Sequence, residues 1–135
     1  MKLSSKSLTA IKMFIDLGEH YDDGFISLND IAKRKDVSKK FLEQIVILYK
    51  NSDLLIGNRG NLGGYKLSCS PEKITLKDIL FISENNMFKS QDEITVFDDV
   101  LKGMDKLIDN YFSSITVAQL VNKQIENYSN SYCIY

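Results

Sequence analysis

The stretch Ser27-Leu28-Asn29-Asp30-Ile31-Ala32-Lys33-Arg34-Lys35-Asp36-Val37-Ser38-Lys39-Lys40-Phe41-Leu42-Glu43-Gln44 decides the fold. Ser27 stands three residues before Asp30, close to the capping-box spacing in which side-chain oxygens satisfy the free N–H groups at a helix start. Leu28, Ile31 and Ala32 then form one apolar face, which predicts a short helix. Ser38 opens another helix in the same way, and Phe41, Leu42, Ile45, Val46, Leu48 and Tyr49 give it a broad face to bury. Only Lys35 to Val37 separate the two, the layout of a helix-turn-helix.

Upstream, Leu8, Ile11, Phe14, Ile15 and Leu17 recur at three- and four-residue steps between Ser4 and Tyr21, predicting an amphipathic helix stopped at Gly24. Downstream, Leu54-Leu55-Ile56 and Tyr65-Lys66-Leu67 are short β-capable runs. Between them, Gly57-Asn58-Arg59-Gly60-Asn61-Leu62-Gly63-Gly64 reads as an exposed hairpin tip. Pro71 marks a boundary, and Thr75 with Asp78 starts a short helix reaching Ile82. Three helices followed by a hairpin predict a mainly α fold with a small β-hairpin, a winged helix-turn-helix domain over 1–83.

Residues 85–93 are polar and loosely patterned, which predicts a loop. Beyond it Phe97, Val100, Met104, Leu107 and Tyr111 alternate steps of three and four, with Leu101, Ile108 and Phe112 alongside. On spacing alone this stripe fits either an ordinary core helix or a coiled-coil-like seam, and it lasts only about two heptads. Dimerisation is the expectation, because the preceding residues already hold enough apolar side chains for their own core. The region 84–126 is assigned to it, with a last short helix at Ser114 to Val121 and a tail over 127–135.

A chain of 135 residues suits one domain, and 44% apolar, 26% charged residues with a single Pro exclude a disordered or collagen-like protein. The net charge of −1 argues at face value against a nucleic-acid partner, but it is unevenly spread. Through Asp78 there are 13 basic and 10 acidic residues, a balance of +3; the remainder has 4 against 8, or −4. Between Lys33 and Lys66 lie eight bases (Lys33, Arg34, Lys35, Lys39, Lys40, Lys50, Arg59, Lys66) and only three acids. Lys39 and Lys40 sit in the first turn of the third helix, where the macrodipole disfavours each cation by ~0.3 to 1 kcal/mol. Charge alone leaves a solvated face equally open, since salt screens that cost; joined to the winged helix order it favours DNA. A recognition helix enters the major groove by its N-terminal residues, here Ser38, Lys39, Lys40, Glu43 and Gln44. Glu43 is suited to accept from a cytosine amino group, Gln44 to pair with adenine, and Arg59 to reach phosphate or a narrow minor groove.

Cys69 and Cys133 are the only cysteines, and Met1-Lys2-Leu3 begins no secretory leader, so a cytoplasmic protein with reduced thiols is expected. No apolar run approaches the roughly 18 residues of a membrane helix. The lone His20, without a Cys/His cluster, gives no ordinary zinc site and no catalytic motif. The expectation is a non-enzyme without a cofactor or bound metal.

The chain resembles the bacterial winged helix regulators that include the iron–sulfur biogenesis regulator IscR, the nitric-oxide sensor NsrR and the cysteine-metabolism repressor CymR. The resemblance is carried by Met1 to Lys6, Ser27 to Ala32, Ser38 to Gln44, Arg59-Gly60, Gly63 to Leu67 and Pro71 to Ile79. It implies a winged helix DNA-binding domain with a long C-terminal dimerisation helix and a homodimer, most similar to CymR-like members, binding a partly palindromic operator on double-stranded DNA. It assigns base reading to Lys40, Glu43 and Gln44 and the minor groove to Arg59, with Ser5, Lys6 and Gly60 in the contacting set. Two departures matter. Ser7-Leu8-Thr9 follow Lys6 where the family often has Gly-Arg-Tyr, and no cysteine lies between Glu84 and Asp105, where sensing members hold an iron–sulfur cluster. No cluster is therefore expected. Two ways of sensing stay open: docking of a metabolic enzyme such as cysteine synthase on the aromatic tail Tyr128, Tyr132, Ile134 and Tyr135, or oxidation of Cys133 or Cys69. The rival to DNA binding is a winged helix that docks other proteins.

Overall fold

Helix α1 (Ser5–Glu19) begins where the Ser4 hydroxyl accepts the Ser7 N–H at 3.2 Å. The computed structural model describes residues 2–60, 63–84 and 96–133, with side chains through residue 129. α1 stops at the His20 cap, ahead of the expected Gly24; a short 3-10 turn, Tyr21–Asp23, intervenes before Gly24 turns the chain at φ 80°. α2 (Leu28–Lys35) is capped by Ser27, whose hydroxyl accepts the Asp30 N–H at 3.2 Å. Its C-cap, Asp36, is left-handed at φ 52°, a conformation that Asp tolerates better than most residues.

α3 (Lys39–Tyr49) starts at Ser38, whose hydroxyl accepts the Phe41 N–H at 3.2 Å. Leu42, Ile45, Val46 and Tyr49 are buried and Phe41 half-buried, while Leu48, expected on the same face, is exposed. The reason is helical phase: at about 100° per residue, position 48 points roughly 110° away from the centre of the 42/45/46/49 stripe.

The hairpin pairs β1 (Leu55–Asn58) with β2 (Gly64–Leu67), from Leu55↔Leu67 to Asn58↔Gly64. Pairing thus runs further toward the tip than the apolar runs suggested, by two residues on β1 and one on β2. Ile26 adds a one-residue third strand, exchanging both backbone hydrogen bonds with Tyr65 at 2.8 Å. That bridge explains Gly64, where a Cβ would run into the Ile26 carbonyl.

α4 (Leu76–Ser83) carries a full capping box between Thr75 and Asp78. α5 (Asp98–Ser113) and α6 (Val117–Cys133) follow. The last helix, expected to be short and to end near Val121, runs on through Cys133 and takes in most of the segment assigned to a tail. It packs on α1 at Gly18, where an added Cβ would lie 2.8 Å from Val117 and 3.1 Å from Val121. Backbone bonds of 2.8 Å, Leu76 N–H to Ile115 O and Val117 N–H to Ile74 O, join this corner to the start of α4. The core accordingly crosses the 83/84 boundary: Val117 is buried with Met13, Phe14, Leu17, Ile45, Tyr49 and Ile79. Phe14 and Tyr49 meet edge to face, centroids 5.1 Å apart.

Candidate nucleic-acid interface

Helix α3 buries one side and leaves the other outward, and Ser38, Lys39, Lys40, Glu43 and Gln44 are all exposed on it. Ser38 uses one oxygen lone pair for its cap, which leaves the hydroxyl proton free to donate to a phosphate. On the wing, Arg59 and Gly60 are exposed, and Gly60 adopts φ 119°, open to glycine and strained for other residues. Ser5 and Lys6 are exposed at the start of α1.

Glu43 of α3, Lys50 at its C-cap and Asn58 and Arg59 of the wing line one groove of about 410 Å³ together with Leu28, Val46, Leu55 and Tyr65. The fold thus brings Glu43 and the wing arginine Arg59 to a single cleft. Lys50 and Asn58 were not singled out as contacts. Lys50 was legible, lying seven residues, or two turns, beyond Glu43 and hence on the same face.

The basic surplus is smaller than the count suggested. Arg34 is committed to Asp16, from Nε and Nη2 at 2.8 Å each, and Asp16 is fully buried. That hydrogen bond raises the Arg34 pKa further above its ordinary value, against the opposing effect of burial. Lys35 bonds Glu19 at 2.9 Å, and Lys66 lies 4.7 Å from the centre of the Phe25 ring. Lys33, Lys39, Lys40, Lys50 and Arg59 remain exposed.

The same ion pairs decide a possible metal site. Asp16, Glu19 and His20 hold ligand atoms within 4.8 Å of one another. Both carboxylates are already neutralised by Arg34 and Lys35, so the cluster is an ion-pair network joining α1 to α2.

A second exposed surface runs along α5. Phe97, Val100, Met104, Leu107 and Tyr111 are each more than half exposed, whereas Leu101 and Ile108 are half-buried and Phe112 is buried. The two lines of the stripe therefore face different ways, and Leu101 and Ile108 belong to the inner one. Lys77 pairs with Asp109 and ties α4 to α5. Cys69 is a free thiol, half-buried against the core, and Tyr128 is exposed on α6; Tyr132, Cys133, Ile134 and Tyr135 lie outside the described side chains.

The sequence profile of Rrf2, described as an iron-dependent transcriptional regulator, matches residues 3–123. The chain belongs to the Rrf2 family. Among Rrf2 relatives it is similar to the HTH-type transcriptional regulator CymR of Bacillus subtilis, 36% identical over 84 residues, which span 62% of this chain and 61% of CymR. The structure of that B. subtilis protein, the global cysteine regulator, superposes with a TM-score of 0.78 at 27% identity, covering 91% of this chain and 98% of CymR. T. potens IscR gives 0.76 at 28% identity, covering 92% and 88%. The winged helix architecture read from Ser27 to Leu67 is thus that of Rrf2 regulators, and this chain is a DNA-binding Rrf2 transcriptional regulator. Among the described residues, no helix is long and apolar enough to cross a membrane.

Proposed function

We propose that two copies pair through the outer line of α5 and that the homodimer represses transcription from a partly palindromic operator. Lys40, Glu43 and Gln44 read bases, Arg59 enters the minor groove, and Ser5, Lys6, Ser38 and Lys39 hold the backbone. The observation that carries this reading is the shared groove: Glu43 and Arg59 face it from recognition helix and wing, with Lys50 beside them. The apolar line Val100, Met104, Leu107 and Tyr111 supports pairing, since a contiguous exposed stripe of that size is rare on a monomer.

The repressor acts without an iron–sulfur cluster. Such clusters are held by several thiolates around one centre. This chain has two cysteines, and Cys69 is packed against the core beside the wing while Cys133 lies near the end of α6. The Asp16, Glu19 and His20 group offers no substitute, its carboxylates being held by Arg34 and Lys35. Similarity to the global cysteine regulator supports cysteine and sulfur metabolism as the regulated field, with a metabolic enzyme such as cysteine synthase as a candidate partner.

The test is affinity for a palindromic duplex, selected from genomic fragments, across a salt series. Phosphate neutralisation makes log K fall linearly with log salt. Absent or salt-independent binding would turn the reading toward a protein-docking winged helix.

A further inference from the structure

The last turn of α4 reaches the first turn of α1, 80 residues away in sequence. Oε1 of Glu84 accepts the Ser4 N–H at 2.7 Å and the Ser7 hydroxyl at 2.7 Å. Ser7 is fully buried, and its oxygen also lies 2.7 Å from that of Ser83. Proton count fixes the directions. A carboxylate only accepts, so the single Ser7 proton goes to Glu84, and the Ser83 proton serves the 2.7 Å contact to Ser7 in preference to the Ile79 carbonyl 3.3 Å away. One turn back on α4, the Ile79 carbonyl accepts the Tyr49 hydroxyl at 2.8 Å, from the last residue of the recognition helix. Helix α4 is therefore bonded to the end of α3 through Ile79 and to the start of α1 through Ser83 and its C-cap Glu84.

Ser4 and Ser7, the two groups held by Glu84, bracket Ser5 and Lys6. We propose that Glu84 is a positioning residue for DNA binding: it clasps the first turn of α1 so that Lys6 meets the phosphate backbone. The clasp is specific to an acceptor at this place, because the Ser4 N–H belongs to a helix start and has no intrahelical partner. The same hydrogen bonds, the Ser4 backbone N–H first, hold the Glu84 carboxyl below its ordinary pKa, consistent with an ionised clasp.

This rests on the reading of Lys6 as a phosphate contact, and the test separates the two. Full-length wild type, Lys6→Ala, Glu84→Ala, Glu84→Gln and the Lys6→Ala/Glu84→Ala pair are titrated against a labelled random-sequence duplex across a salt series. Lys6→Ala is expected to reduce the slope of log K against log salt by about 1 per protomer. Glu84→Ala is expected to do the same, with affinity about eightfold weaker per contact at 0.1 M salt. The double variant loses no more than Lys6→Ala, and Glu84→Gln, which keeps an accepting oxygen, stays near wild type. The sign is diagnostic, because removing an anion near a polyanion would on bulk electrostatics tighten binding. If Glu84→Ala does not fold, Ser7→Ala, which removes one of the two anchors, is expected to shift the slope in the same direction by less. A wild-type slope or tighter binding in Glu84→Ala (or in Ser7→Ala, should that variant stand in), while Lys6→Ala loses slope, overturns the positioning role alone. A wild-type slope in Lys6→Ala overturns the phosphate contact, and the positioning role with it.

Discussion

Arg34 donates from Nε and Nη2 to the two carboxylate oxygens of Asp16, each at 2.8 Å, across the contact between α2 and α1. Asp16 is wholly buried and Arg34 about one-third exposed at its side chain. Removing the partner of a buried charge costs ~3 to 5 kcal/mol, and the exposure of Arg34 points to the low end. Arg34→Ala is therefore expected to lower stability by about 3 kcal/mol in denaturant titration. Lys33→Ala, an exposed neighbour, should change it by less than about 0.5 kcal/mol.

Tyr49 gives the fold an alkaline limit. Burial pushes its hydroxyl up to about 12 from an ordinary 10.0, so the folded state favours the protonated form. The stabilisation is complete below pH 10 and is lost as pH rises through about 12. Glu84 acts in the opposite sense: its lowered pKa gives stability present above 4.5 and lost as pH falls through the folded value. Tyr49→Phe should cost ~1 kcal/mol at neutral pH, for the bond to Ile79, and flatten the alkaline limb. An unchanged alkaline limb in thermal melts would contradict the assignment.

Much of this architecture was legible because caps and periodicity are local. Ser27, Ser38 and Thr75 each sit at the N-cap their spacing predicted. What escaped detection depends on distant partners. Nothing in the run Lys33-Arg34-Lys35 distinguishes an exposed lysine from an arginine bound to Asp16, 18 residues upstream. Ser83 and Glu84 carry no periodic signal, since their roles come from the approach of α1. The length of α6 was missed because its second half is polar, rich in Asn, Ser and Tyr, and its packing on α1 is made by Val117 and Val121 in the first two turns. Of the candidate interface, the α3 residues and Arg59 were readable, and Asn58 required the hairpin register.

Two glycines should respond oppositely to the same change. A Cβ at Gly64 meets the backbone of Ile26, which cannot yield as a side chain can. Gly64→Ala should break the Ile26–Tyr65 bridge and destabilise the wing by ~1 to 3 kcal/mol. Gly103, inside α5, has open space around its Cβ position, so Gly103→Ala should stabilise by ~0.5 to 1 kcal/mol through helix propensity. Denaturant midpoints measure both.

Pairing through α5 is tested at Met104, which lies on the exposed line and is 52% exposed in the single chain. Met104→Glu should convert dimer to monomer in sedimentation velocity and leave the melting of the protomer core nearly unchanged. An unaltered sedimentation coefficient would remove α5 from the interface.

The most direct measurement of the central claim, that α3 and the wing read sequence, is the affinity of Glu43→Ala for the selected operator and for a scrambled duplex. The groove geometry predicts a loss of ~1 to 3 kcal/mol on the operator and no loss on the scrambled duplex, where removing an anion leaves affinity equal or slightly tighter. An equal loss on both, or none on either, would contradict a base-reading role for this face.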